Sequence, residues 1–491
     1  MSQNRSLLKD ISFNSLGEIG SRVPLTILEI VMARYLGPAS YGIWSTIQLI
    51  VNYNNFIHFG FLSALAREEP VLIGQKDFEK ADRIRNVVFT AVIAITILLG
   101  LFAIGGYALL KPEHPEWEEY GSYMLLIYIL FICQQTFIFW QTTLQNRFHF
   151  LLLSIGKLVY SFGFLFLAVI AVMKWNIMGL ILSWAASYFI TIMFFMLREP
   201  RLIPRPAFDA GELRQLFLVG FPIFLFGISK LLISTIDKIT LLSHLGTEQL
   251  GYYNVTAAFL AVTVLVAGLV SRVLAPHVMA RVGEGNNTEE LYSYFSTNSE
   301  KAVTYLSLTA GLLAITIQPF LWYILPEYSA GRYVGFILVF AGVLSGVTQF
   351  LSSYLIARQR QKKILQHTLA SLLVTITAIY LLKSYVNTIE IYALGSALGW
   401  CCYVLLLIGE MLSTTFGSQR LFWKTTARIL SPLLIMTAIA GICFAIQDMT
   451  NLGNIVKIAA SYGFFSLMVL ALSGVLGIKD DLRLVKSKLT K

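Results

Sequence analysis

Charge is what this chain has least of. Only 13% of its 491 residues are Asp, Glu, Lys or Arg, about half of the roughly 25% usual in a soluble domain. With 56% of residues hydrophobic and a mean hydropathy of +0.70, the chain carries more apolar surface than one soluble core can hide. An ordinary water-soluble globule is excluded. Cysteine is nearly as scarce. Cys133, Cys401, Cys402 and Cys443 all sit inside apolar runs, without the spacing of a disulfide framework or a metal site, and read as small packing residues. Also missing are a glycine-rich phosphate loop with its Lys-Ser/Thr, a His/Glu zinc pattern and a serine elbow. Without a nucleotide loop the chain is not expected to be a primary pump. With no loop long enough for a globular domain, it is not expected to be an enzyme. The polar start Met1 to Asp10 is not followed by a short apolar stretch with a small-residue cleavage site, so a cleaved signal peptide is not expected.

What is present is a succession of apolar runs. A bilayer crossing takes roughly 20 mostly apolar residues. Residues 86–110, 121–145, 151–173, 176–197, 249–275, 302–325, 333–357, 364–385, 388–409, 429–446 and 456–477 meet that length and character. Three further stretches, 11–35, 40–66 and 215–243, are long enough but carry charges or amides. The expected fold is therefore an all-α integral membrane protein with about fourteen transmembrane helices.

The bases test that reading. They collect in alternate connections: Arg67, Lys76, Lys80, Arg83 and Arg85; then Arg147; then Arg198, Arg201, Arg205 and Arg214; then Arg281; later Arg358 to Lys363, and Arg420 to Arg428. The tail adds Lys479, Arg483, Lys486, Lys488 and Lys491, whereas the connection 111–119 is acidic. This alternation predicts a multi-pass protein with both termini in the cytoplasm. It also accounts for the net charge of +10 without a nucleic-acid partner.

The chain contains an internal repeat. Leu36-Gly37 followed by Gly42 returns as Leu245-Gly246 followed by Gly251, after the first and seventh spans. Six spans separate the copies, so both run in the same direction. Parallel repeats of this kind build two-lobed transporters with the substrate site between the lobes. The expected organisation is a six-helix lobe over 1–200, joined by the proline-bearing linker 198–210 to a second pseudo-symmetric six-helix lobe over 201–412. Residues 413–491 would add two C-terminal helices and a basic tail.

Ionisable residues within spans are costly, about 2.5–3.5 kcal/mol each near the bilayer centre on insertion scales. The first span carries Asn14, Glu18, Arg22 and Glu29, and the seventh Lys230, Ser234, Asp237 and Lys238. Helical spacing gathers each set on one stripe. Arg272 lies in the eighth span and Lys157 in the fifth. Two readings stand side by side. Glu18 can pair with Arg22, and Asp237 with Lys230 or Lys238; or Arg22, Lys230, Lys238 and Arg272 line a cationic cavity suited to a diphosphate. Amides form a second class: Asn52, Asn54, Asn55 and His58 in the second span, and Gln134, Gln141 and Gln145 in the fourth. They suit hydrogen bonds between helices or contacts to sugar hydroxyls, with Trp44, Tyr53 and Trp140 as stacking surfaces or packing anchors.

The stretch MARYLGPASYGIWSTIQLIVNYNNFIHFGFLSALARE resembles the start of Wzx-type polysaccharide flippases of the MOP exporter superfamily. The family's Leu-Gly-Pro-x-x-Tyr-Gly turn corresponds to Leu36 to Gly42, and its basic exit to Gly60 to Arg67. The resemblance implies movement of an undecaprenyl-diphosphate-linked oligosaccharide to the outer leaflet of the cytoplasmic membrane by alternating access. It implies roles for Arg22, Arg272 and Arg67 in holding the diphosphate, and partners such as a polysaccharide polymerase and chain-length proteins. The Arg-Asp pair of lipid II flippases is not apparent in the first span, which speaks against a peptidoglycan role. No cofactor is expected; coupling to protons, sodium or the membrane potential would fall to Glu18, Glu29 or Asp237. The rival readings are a drug/cation antiporter of the same superfamily and a membrane scaffold.

Overall fold

A backbone in lipid finds no water to bond to, so its amides and carbonyls must satisfy one another, and the helix does this within one segment. In the computed structural model every regular element among the described residues is helical. The described residues are 2–110, 118–283, 288–413, 419–449 and 453–474, with side chains described from 17 onward apart from 19, 118–120, 122, 272–295, 357 and a few at segment ends. The acidic connection 111–117, the basic tail from Lys479, and the side chains of Asn14, Arg272, Arg281 and Arg420 lie outside them.

The elements are α1 (Ser2–Asn54), α2 (Phe61–Gly74), α3 (Phe78–Leu110), α4 (Glu118–Asn146), α5 (Phe150–Arg198), α6 (Ala210–Gly283), α7 (Thr288–Tyr323), α8 (Arg332–Ala357), α9 (Gln361–Lys383), α10 (Ile389–Ser413), α11 (Gln419–Asp448) and α12 (Asn454–Leu472). Ten described stretches are long and apolar enough to cross a membrane. The protein is a multi-pass membrane protein. Ten is fewer than the expected fourteen, for two reasons. The charged stripe of α1 keeps it out of the ten, and the stretches Phe150–Arg198 and Ala210–Ser271 each count once although they run to 49 and 62 residues.

Those three long helices are hairpins. Tyr41 donates its hydroxyl proton to Glu29 Oε2 at 2.8 Å, although the two residues are 12 apart and a straight helix would separate them by about 18 Å. In α5, Trp184 Nε1 donates to the Tyr160 hydroxyl at 2.9 Å across 24 residues. In α6, Tyr253 donates to Asp237 Oδ2 at 2.5 Å across 16. Each reversal falls on one residue that leaves helical geometry: Gly37 (φ 69°, ψ 171°), Asn176 (φ 45°, ψ −129°) and Gly246 (φ 82°, ψ −176°). Gly37 and Gly246 are the glycines of the repeated Leu-Gly phrase. Both occupy a region of backbone space that is essentially closed to side chains. The short repeat in the sequence is therefore the same reversal made twice.

The chain divides into two compact units, Met1–Leu231 and Leu232–Lys491. Within the first, α1 packs along α5, and α4 lies against both α5 and α3. Its centre is aromatic: Trp44 stands 5.4 Å from Trp184, and the rings of Tyr160 and Tyr188 stack at 4.8 Å. Within the second, α10 packs on α8 and α9, and α7 on α8 and α11. Gly335, Gly342 and Gly346 of α8 meet Thr256, Thr263 and Ala267 of α6, the small-residue contact that lets helices approach closely in lipid. The last two helices, expected as an appendage, are bonded to α7. Gln447 Nε2 donates to the Ile315 carbonyl and to Ser461 Oγ, both at 2.9 Å, and Gln318 Nε2 donates to Asp448 at 2.9 Å.

Gly246 has open space around the position of a Cβ, so Gly246→Ala isolates the backbone cost. It is expected to lower stability by about 1–3 kcal/mol. Gly105→Ala in mid-α3, also with open space, is expected to be neutral or to gain up to about 1 kcal/mol. Thermal unfolding of the detergent-solubilised variants measures both.

Candidate functional site

The charged stripe of the first helix resolves into two separate arrangements. Nearer the chain's start, Glu18 bridges two bases. Its Oε1 is 3.4 Å from Arg22 Nη2, and its Oε2 is 2.8 Å from Lys157 Nζ of α5. The Glu18–Arg22 pairing foreseen from spacing is present, and a third member, Lys157, joins it. Arg22 keeps a side-chain exposure of 59%. Nearer the turn, Glu29 accepts from Tyr41 at 2.8 Å and from Gln48 Nε2 at 2.5 Å. Both donors lie on the returning arm, so Glu29 ties the two arms of the α1 hairpin together.

The amide cluster surrounds a break in the helix. After Asn54 the chain leaves helical geometry for residues 55–60 and resumes it as α2, with Phe59 (φ 45°) and Gly60 (φ 92°) in the left-handed region. Non-helical backbone at membrane depth is tolerated only where protein or a wet cavity satisfies it. Here turn bonds within the segment take up much of the backbone, the amides of Phe56, Ile57 and Phe59 donating to the carbonyls of Tyr53, Asn54 and Phe56, and α4 adds side-chain partners. Gln134 Oε1 accepts from Asn54 Nδ2 at 2.7 Å; Gln134 Nε2 donates to Asn55 Oδ1 at 2.9 Å; Gln135 Nε2 donates to the Asn54 carbonyl. His58 Nδ1 accepts the Gly60 amide at 3.1 Å. A Cβ on Gly60 would lie 2.3 Å from the Gly220 carbonyl oxygen, and one on Gly220 would lie 2.1 Å from that of Gly60. The broken segment and α6 therefore meet backbone to backbone. Asn55 and Gln134, singled out as sugar contacts, are hydrogen-bonded to each other. Asn52 is exposed and Gln141 half-buried. Trp140 is fully buried, stacked near Phe195 at 6.2 Å, and offers no ring face to a ligand. Trp44 is equally buried.

The α6 residues also separate. Lys230 lies 5.3 Å over the ring of Phe226 on its own helix. In the second unit, Asp237 is buried and accepts from Tyr253 at 2.5 Å and from the Lys238 backbone amide at 2.8 Å. The Lys238 ammonium donates to Asn254 Oδ1 at 2.6 Å. A tyrosine of the returning arm thus joins Asp237, and Lys238, one of the two lysines the spacing offered, acts on it electrostatically. The side chain of Arg272 is outside the described residues. Arg67 is exposed at the chain's exit from the second span, 3.6 Å from Glu68.

One ionic cluster was invisible in the linear sequence. Glu69, with no exposed side-chain surface, is held by Arg147 Nε at 3.0 Å and by Asn146 Nδ2 at 2.9 Å. Arg147 continues to Asp82 at 2.5 Å, and Asp82 to the buried Arg85 at 2.7 Å. The network pins α2, α3 and α4 at one end. Burial pushes the Glu69 carboxyl above the usual carboxylate range, against the pull of Asn146 and Arg147. Beside it Arg83 pairs with Asp209, which caps α6 by accepting the amides of Gly211 and Glu212 at 2.9 and 3.0 Å. The Glu212 amide and Arg83 hold the Asp209 carboxyl low. Read as loop bases, Arg85 and Arg147 gave no hint of burial. The only signal was polar residues at the facing ends of neighbouring spans.

Removing one member of a buried pair strands its partner, at a cost of about 3–5 kcal/mol. Arg147→Ala is expected to lose that much in thermal unfolding, Glu69→Gln clearly less, and the double variant should recover part of the Arg147→Ala loss. A double variant as unstable as the sum of the singles would show that the two side chains are not coupled.

Comparison with known proteins completes the picture. The model of the family described as "Polysaccharide biosynthesis protein" matches residues 31–306. No curated protein matches the chain. Among solved structures, the fold is similar to the lipid II flippase MurJ in its inward closed conformation, with a TM-score of 0.69 at 14% identity, covering 95% of this chain and 99% of that one. It is similar to the Vibrio cholerae MATE transporter VcmN in its bent form (TM-score 0.56, 16% identity, 89% of this chain and 99% of that one). It is also similar to an inward-facing multidrug resistance MATE family transporter of the MOP superfamily (TM-score 0.59, 15% identity, 82% and 94%). The helical fold is shared with those structures, and the chain belongs to the polysaccharide biosynthesis protein family.

Proposed function

We propose that the protein is a flippase that carries an undecaprenyl-diphosphate-linked oligosaccharide from the cytoplasmic to the outer leaflet of the cytoplasmic membrane by alternating access. One coincidence carries this reading: a polysaccharide-biosynthesis family match on a fold shared with a lipid II flippase and with a multidrug resistance transporter. A sugar chain on a charged diphosphate cannot cross hydrocarbon unaided, because each desolvated charge costs several kcal/mol or more. The exposed guanidinium of Arg22 within the first span is the feature best suited to the diphosphate, since its planar fork matches phosphate oxygens. Lys230, Lys238, Arg272 and Arg67 would add to the cationic path, and a polysaccharide polymerase and chain-length proteins are the natural partners of the product.

Glu29 and Asp237 are our candidates for coupling to a proton or sodium gradient or to the membrane potential. Each is a carboxylate held by a tyrosine across a helical hairpin. Uptake of a proton or cation there would alter the bond between the arms, which is how a binding event is turned into a conformational bias.

Reconstituted vesicles test the reading. A fluorescent undecaprenyl-diphosphate saccharide in both leaflets is quenched from outside, and flipping exposes the protected fraction. Wild type is expected to accelerate loss of protection, Arg22→Ala to slow it by about tenfold or more, and Glu29→Gln with Asp237→Asn to abolish its response to an imposed gradient. Export of organic cations without lipid movement would establish the drug/cation antiporter instead.

A further inference from the structure

Lys157 was no part of the cationic path drawn from the sequence, yet the structure places it in the same cluster as Arg22. Two positively charged groups meet one carboxylate there among the described residues. Lys157 Nζ is 2.8 Å from Glu18 Oε2 and Arg22 Nη2 is 3.4 Å from Glu18 Oε1. The cluster is built on a tight helix crossing. A Cβ on Gly17 would fall 2.6 Å from Ser154 Cβ, and one on Gly20 would fall 3.1 Å from Leu158. The residues near Glu18 on α1 and those near Lys157 on α5 are therefore in contact, which brings the ammonium to the carboxylate. Arg22 lies four turns before the Gly37 reversal, about 22 Å along the axis, well inside a span. Its guanidinium has five N–H donors and offers Glu18 one long contact.

Among the described residues the cluster carries two positive charges and one negative, a surplus that calls for a mobile anion. We propose that Lys157 and Arg22 are the phosphate-reading pair of the first unit, and that Glu18 is their resident competitor, occupying both cations until the diphosphate of the lipid-linked substrate takes its place. The proposal rests on the flippase reading and adds to it a specificity residue and a displacement step. Glu18 is suited to that step because it is partly exposed (27%) and anchored at neither oxygen by backbone among the described bonds. The carboxylate oxygens sit where phosphate oxygens would be received. Glu18 offsets one of the two positive charges in the empty protein, and it makes binding of a single negative charge a near-even exchange. A diphosphate, with more charge and more acceptor oxygens, outcompetes it.

The sign of one mutation separates this from a structural ion pair. Undecaprenyl diphosphate binding to the purified full-length protein in detergent is measured for wild type, Lys157→Gln, Lys157→Arg, Glu18→Gln and the Glu18→Gln/Lys157→Gln double variant, each first checked by ligand-free thermal unfolding. Lys157→Gln should weaken binding by about tenfold or more, Lys157→Arg should retain it, and Glu18→Gln should tighten it several-fold. In the double variant the tightening should disappear. Undecaprenyl monophosphate and phosphatidylglycerol serve as probes with one phosphate and should bind far more weakly to wild type. Unchanged or weaker binding by a folded Glu18→Gln protein overturns the competitor role, and unchanged binding by Lys157→Gln overturns its place in the pair. Phosphatidylglycerol binding as tight as the diphosphate overturns the diphosphate assignment. If wild type binds no undecaprenyl diphosphate at all, the flippase reading falls together with this inference; the other failures leave that reading standing.

Discussion

Every backbone amide and carbonyl inside a bilayer has to find its partner within the protein, because the hydrocarbon offers none. Most of the chain meets this demand by being helix. The informative places are those where it is not. The three reversals at Gly37, Asn176 and Gly246 change direction within a residue or so of broken helix, leaving few unpaired groups. The longer break at 55–60 is held by turns of its own, by Gln135 of α4 on the Asn54 carbonyl, and by α6 closing in backbone to backbone at Gly220.

This bears on how polar residues in a membrane span are read. Asn54 and Asn55 are both bonded to Gln134, so they describe how the second span meets α4 before they describe a ligand. Glu29 and Asp237 belong to hairpins, each fastening an outgoing arm to a returning one through a tyrosine. Glu18 differs in kind. It pairs with Arg22 of its own helix and with Lys157 of α5, and so sits beside an exposed guanidinium. The charges of the first span thus divide between architecture at Glu29 and chemistry at Glu18 to Lys157.

Hydropathy and loop charge made the helical membrane architecture legible, because spans and their flanking bases are properties of local composition. The Leu-Gly repeat was legible for a similar reason. A backbone with φ near 70° and extended ψ admits glycine almost alone, so Gly37 and Gly246 leave a mark in one dimension. Partnerships between distant segments left no such mark. Nothing about Arg85 and Arg147 in sequence distinguishes a solvated loop base from one sealed against Asp82 and Glu69. Lys157 could be placed at a depth, but not opposite Glu18. Asp237 had lysines within helical reach, and only the fold-back at Gly246 brought Tyr253 to it.

The meeting of Gly60 and Gly220 has a consequence for how the family can be studied. Each position is closed to any side chain by the other's carbonyl, so neither can drift and be compensated by its neighbour. A pair of positions each confined to glycine carries no mutual information. Methods that infer proximity from correlated substitution will be silent at one of the tightest junctions in the first unit, and a map of co-evolving pairs will trace the molecule with a gap where its unwound helix is held.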